Sequence, residues 1–207
     1  MPLVKTIDLG KNGNIWLWKI EETLEELSDI HLNKKSQLRL NSMKSLAHQK
    51  GFLAVRQLLK IAGYTDRDLS YTPLGKPLLS DKKHISISHS FEYATLIISD
   101  KIVGIDIEKN RDKIKKIASR FIGTESLECT EQESQIRELT RIWAAKESLF
   151  KTHIGGQILF KDHLFVTNVP LDKNTTSARL IKDSLEESYE VHFLDLTTYT
   201  LAYAIQN

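Results

Sequence analysis

Three strand-like runs follow one another closely at residues 84–88, 94–99 and 102–108, and they most limit the folds open to this chain. Runs with only turns between them pair as antiparallel neighbours, and Ser99, Asp100 and Lys101 are expected to turn the last two into a hairpin. Upstream, "NIWLWKI" (14–20) alternates like a strand and "EETLEELSDI" (21–30) reads as a short acidic helix. The period becomes helical from Lys34 to Tyr64, where Phe52, Val55, Leu58, Leu59 and Ala62 form a stripe and Gly63 is a helix stop. The Pro and Gly punctuation of "YTPLGKPLLSDKK" (71–83) predicts a loop. Downstream, "DKIKKIASRF" (112–121) is helix-like, a longer helix runs from about Ser134 to Thr152, and strand candidates lie near 164–169, 178–182, 190–196 and 199–205. Each half, 1–100 and 101–207, thus sets helices beside a mainly antiparallel sheet, an α+β arrangement.

With 41% hydrophobic and 27% charged residues, the composition is that of an ordinary globular protein. A net charge of +2 supplies no strong field toward nucleic acid or a membrane, so any phosphate site must be local. The N-terminal stretch lacks a basic start followed by a long apolar run, and the protein is expected to stay in the cytoplasm. Cys129, the single cysteine, excludes an internal disulfide and reads as a packing residue. The sequon at Asn174 is then a chance match.

The run "VGIDIEK" (103–109) carries two carboxylates inside an apolar strand. Alternation puts Val103, Ile105 and Ile107 on one side, taken as the core side, and Gly104, Asp106 and Glu108 on the other. Two residues of rise separate the carboxylates by roughly 6–7 Å, so a cation would relieve their repulsion. A strand with one wet, acidic face explains the same pattern without one.

In "IRELTRIWAAKESLFK" the helical period places Ile136, Trp143 and Phe150 in one stripe, with Glu147 beside it and Lys151 one turn on. Either Glu147 and Lys151 form an ordinary surface ion pair, or Glu147 borders the buried face and needs a further partner. Asp106, Glu108 and Glu147 together would suit Mg²⁺, a hard cation that completes its shell with water and phosphate; Mn²⁺ is an alternative at an all-oxygen site. Lys76, between Pro73 and Pro77, and the "SHS" of Ser88, His89 and Ser90 are candidate phosphate contacts, although His89 alone reads equally as an ordinary histidine.

In this order, "GKP" (75–77), "ISISHS" (85–90), "GIDIE" (104–108), "RFIGTE" (120–125) and "WAAKESLFK" (143–151) resemble the 4′-phosphopantetheinyl transferases, specifically the larger type that activates peptide-synthetase and other carrier proteins. The resemblance covers roughly 50–151. It implies transfer of the phosphopantetheine arm of coenzyme A to a serine of an apo acyl or peptidyl carrier protein, by a monomer folded as two similar α+β halves packed as an intramolecular pseudo-dimer with coenzyme A between them. It further implies Asp106, Glu108 and Glu147 as Mg²⁺ ligands, Glu147 as base, Lys151 as the group facing the leaving phosphate oxygen, and Lys76, Ser88 and His89 as coenzyme A contacts. For the 3′-phosphate, Lys34, Lys35, Arg39, Lys50 and Arg56 are candidates; Arg56 in "FLAVRQLL" equally suits a buried ion pair. Two positions depart from the family pattern: Ser86 stands where Asn is usual and Ile122 where a second aromatic is usual. A Mg²⁺-dependent phosphoesterase or pyrophosphatase, or a noncatalytic coenzyme A or carrier-binding module, are the competing readings.

Overall fold

The computed structural model describes residues 3–153 and 157–207. By proximity along the backbone the chain divides into two compact units, Met1–Asp100 and Lys101–Asn207.

The first unit holds β1 (Leu3–Asp8), β2 (Asn14–Lys19), α1 (Leu24–Leu27), α2 (Lys34–Ser42), α3 (Leu46–Ile61), β3 (Leu69–Tyr71), β4 (Pro77–Leu79), β5 (His84–Ser90) and β6 (Tyr93–Ser99). Its main sheet runs β1-β2-β6-β5, all antiparallel. The acidic helix shrinks to the four residues of α1, opened by a capping box in which the Thr23 side chain and Glu26 satisfy each other's backbone N–H. The helical stretch from Lys34 is two helices, started by Asn33 and Ser45, whose side chains accept from Ser36 N and His48 N. Gly63 follows the C-cap of α3 at φ +88°, where a Cβ would be strained. The segment expected as a loop contains a ribbon instead: Leu69–Tyr71 pairs with Pro77–Leu79. The Pro77 ring has no N–H to give, and it is tolerated because β4 has a single partner strand and leaves one edge without a ladder. Phe52, Leu53, Leu58 and Leu59 of α3 pack with Trp18, Ile85, Leu96 and Ile98 of the sheet.

The second unit holds β7 (Val103–Lys109), a 3-10 helix over Asp112–Arg120, α4 (Gln132–Thr152), α5 (Phe160–His163), β8 (Leu164–Val166), β9 (Thr175–Lys182), β10 (Leu185–Leu196) and β11 (Tyr199–Gln206). The sheet order is β7-β11-β10-β9-β8, again antiparallel. The expected hairpin at Ser99–Lys101 does not form. β6 spends both edges on β2 and β5, and β7 pairs across the chain with β11, from Tyr199↔Lys109 to Ile205↔Val103. The tight hairpin is one strand earlier, between β5 and β6, with Phe91 at φ +49°.

Candidate active site

The site begins with a glycine. A Cβ on Gly104 would lie 1.8 Å from the backbone oxygen of Ser148, so β7 and α4 touch backbone to backbone at this point. On β11 the cross-strand partners of Gly104 and Asp106 are Ala204 and Ala202, equally small. The helix therefore lies on the face that carries Gly104, Asp106 and Glu108. This corrects the expectation of a wet acidic face: Asp106 is 4% exposed, and Val103, Ile105 and Ile107 opposite are buried as well.

The buried side of α4 also differs from the expected stripe. Leu139, Ile142, Ala145 and Leu149 enter the core, whereas Phe150 is 41% exposed and Trp143 half-buried. The displaced stripe still leaves Glu147 at the border of the packed face. Burial pushes the Glu147 carboxyl up to about 7; the Asp106 charge adds to this, the Lys151 ammonium opposes it and Glu108 adds further. Three carboxylates and one ammonium thus share one electrostatic environment. Lys151 Nζ donates to Asp106 Oδ1 at 2.7 Å and to the Ile105 carbonyl at 3.0 Å, so its partner in this structure is Asp106 on the neighbouring strand.

Trp143 Nε1 donates to Glu108 Oε1 at 3.1 Å, holding that carboxylate from the helix side. The indole is itself held, stacked on Phe160 and edge-on to Phe121, each 5.2 Å between ring centroids. Lys146, fully buried, fixes the backbone under both rings: Nζ donates to the Phe121 carbonyl at 2.6 Å and the Phe160 carbonyl at 3.0 Å and pairs with Glu125 at 2.6 Å. Glu125 also accepts from Gly123 N. Neither the Lys146–Glu125 pair nor the Trp143–Glu108 bond was legible as a contact in the sequence. The available signal was a lysine at an apolar helix position, and it does not name its partner.

Among the described residues, no group of three or more His, Cys, Asp or Glu side chains is arranged to enclose a metal ion, so Asp106, Glu108 and Glu147 are not a preassembled cage. Their chemistry nevertheless suits Mg²⁺. All are hard carboxylate donors, and Mg²⁺ is held through one or two such groups with water and substrate phosphate supplying the remainder.

The other predicted residues lie in the first unit. Lys76 closes a tight turn, donating its backbone N–H to Thr72 Oγ1 at 3.1 Å while Thr72 N donates to the Lys76 carbonyl. In β5 the alternation separates Ser88 from His89: Ser88 is buried on one face and His89 is exposed on the other. Arg56 is committed elsewhere. Its Nε meets Asp66 Oδ1 at 3.1 Å, its guanidinium lies 3.6 Å over the Phe52 ring, and only 4% of its side chain is exposed. That is the buried ion pair foreseen as the alternative to a 3′-phosphate contact. Cys129 is half-buried, its thiol raised by burial and by Glu138, as suits packing better than nucleophilic chemistry. No described helix is long and apolar enough to cross a membrane.

With this geometry in place, comparison with known proteins is direct. The sequence model of the 4′-phosphopantetheinyl transferase superfamily matches residues 102–204. The 4′-phosphopantetheinyl transferase Gsp of Aneurinibacillus migulanus is 31% identical over 121 residues, 57% of this chain and 49% of that protein. The 4′-phosphopantetheinyl transferase Sfp of Bacillus subtilis (strain 168) is 30% identical over 156 residues, 70% of each chain. The chain spans about half the length of the first relative and more than two thirds of the second.

Proposed function

The chain belongs to the 4′-phosphopantetheinyl transferase superfamily, and from that premise we propose that it transfers the 4′-phosphopantetheine arm of coenzyme A to a serine hydroxyl of an apo carrier protein, releasing adenosine 3′,5′-bisphosphate. The single observation that carries the reading is the close packing of α4 on the carboxylate face of β7 at Gly104, which sets Lys151 on Asp106 and Trp143 on Glu108 with Glu147 on the same helix.

In the proposed reaction the serine oxygen bonds to the pantetheine-side phosphorus of coenzyme A, and the bond from that phosphorus to the bridging oxygen breaks. Glu147 accepts the serine proton, directly or through a water. Lys151, already carrying its ammonium beside Asp106, faces the leaving phosphate and stabilises its charge. Trp143 keeps Glu108 oriented. Asp106, Glu108 and Glu147 would hold Mg²⁺, which when bound would supply charge neutralisation on the pyrophosphate. Lys76, Ser88 and His89 are assigned to positioning coenzyme A. Met1–Asp100 would then contribute the coenzyme A contacts and Lys101–Asn207 the metal ligands and catalytic helix.

The test is mass spectrometry of apo carrier proteins incubated with this protein, coenzyme A and Mg²⁺. One added phosphopantetheinyl group, lost with EDTA and lost in Glu147→Gln, is the expected result. Cleaved coenzyme A with no modified carrier would replace the transferase by a phosphoesterase. Intact coenzyme A with every carrier unmodified would leave a binding module.

A further inference from the structure

Gly51 occupies the interior of α3, buried, where glycine is a poor choice. It loses more backbone freedom than alanine on entering a helix and contributes no packing. Its surroundings supply the reason. A Cβ at Gly51 would lie 3.0 Å from both Cγ and Nδ1 of His89 and 3.4 Å from Cδ2, tighter than a methyl group accepts unless the ring moves. His48, one turn earlier on the same helix face, has its ring centroid 6.3 Å from that of His89. On β5 the side that faces α3 carries Ile85 and Ile87, both packed with the α3 core, and His89 is the next residue on that side. The imidazole thus ends an apolar row, seated against bare helix backbone, with its outer part exposed.

We propose that Gly51 is a positioning residue for His89: its missing Cβ lets the ring rest against α3, and that seat sets where the imidazole meets an anionic group of coenzyme A. The inference rests on the proposed function for the ligand, and on the structure for the contact. Adding a methyl group displaces the ring while leaving the helix as good or better.

Isothermal titration of coenzyme A with Mg²⁺ into the wild-type protein, Gly51→Ala, His89→Ala and the double variant tests it, together with NMR of the histidine ring signals. Gly51→Ala should weaken coenzyme A, by no more than His89→Ala does, and shift the His89 ring resonances. In the His89→Ala background the same substitution should leave affinity unchanged and raise Tm, because the empty space accepts the methyl group. Normal affinity in Gly51→Ala beside weakened affinity in His89→Ala would overturn the positioning role alone. An equal loss with and without His89 would overturn it too, since the effect would then run through the fold. Normal affinity in His89→Ala would instead remove His89 as a coenzyme A contact, and with it the ligand part of the inference; unmoved ring resonances in Gly51→Ala would refute the seat itself.

Discussion

At the scale of single residues, the site depends on what is absent as much as on what is present. Gly104 is the point where β7 meets Ser148 of α4, and a methyl group there has nowhere to go because its obstacle is backbone. Gly104→Ala should cost about 1–3 kcal/mol or more, as overpacking does, and should separate Glu147 from Asp106; urea unfolding and loss of carrier modification measure the two effects. Glu147 makes the opposite kind of prediction. Its folded pKa of about 7 lies above the ordinary carboxyl value, so its stabilising contribution is complete at pH below the unfolded pKa and is lost as pH rises through about 7. In EDTA-treated protein, Glu147→Gln should therefore be more stable than wild type at pH 8 by on the order of 2 kcal/mol, with the gap closing below pH 4.5. A gap independent of pH in thermal unfolding would contradict the assignment.

At the scale of elements, α4 organises the second unit by holding segments that are remote in sequence. Glu138 accepts from the backbone N–H groups of Glu128 and Cys129, Arg141 donates to the Pro170 and Lys173 carbonyls and pairs with Asp195, and Lys146 ties down Phe121 and Phe160. Each is a buried charged or polar group satisfied by loop backbone. Lys146→Met should cost about 3–5 kcal/mol, because it leaves Glu125 charged and buried without its partner. Its signature beyond lost stability is a change in Trp143 fluorescence, since the rings that flank that indole sit on the backbone Lys146 holds. The length of α4 was legible in its helical period. Its buried side was not: Ile136, Trp143 and Phe150 look like a core stripe, but Lys146 and Glu138 are deeper than any of them. A charged residue whose charge is answered by another segment has no mark in its own helix.

At the scale of the whole molecule, the proposed ligand should act as a stabiliser of the folded state. Coenzyme A with Mg²⁺ at a hundred times its dissociation constant should add about 2.7 kcal/mol, read as a rise in Tm that EDTA diminishes; no dependence of Tm on coenzyme A at any concentration would argue against binding. The α+β class followed from the sequence, since the alternation of strand and helix periods is local. Strand partnership did not follow. β7 was expected beside β6, its neighbour in sequence, and pairs with β11 nearly a hundred residues away. The short connection over Ser99–Lys101 links two sheets rather than turning within one.

The sequence by itself determined the longer elements around the site and the chemical types there: two carboxylates on one face of a strand, a carboxylate and an ammonium one turn apart on a helix, and motifs whose order matches a transferase superfamily. Those are properties of period and spacing, carried by residues near one another in the chain. Only the tertiary structure decided that Gly104 admits α4 onto the carboxylate face, that Lys151 pairs with Asp106, that Arg56 belongs to Asp66, and that Gly51 makes room for His89. Each of those depends on an atom brought in from elsewhere in the chain, and a one-dimensional pattern carries no distance between residues that are not neighbours.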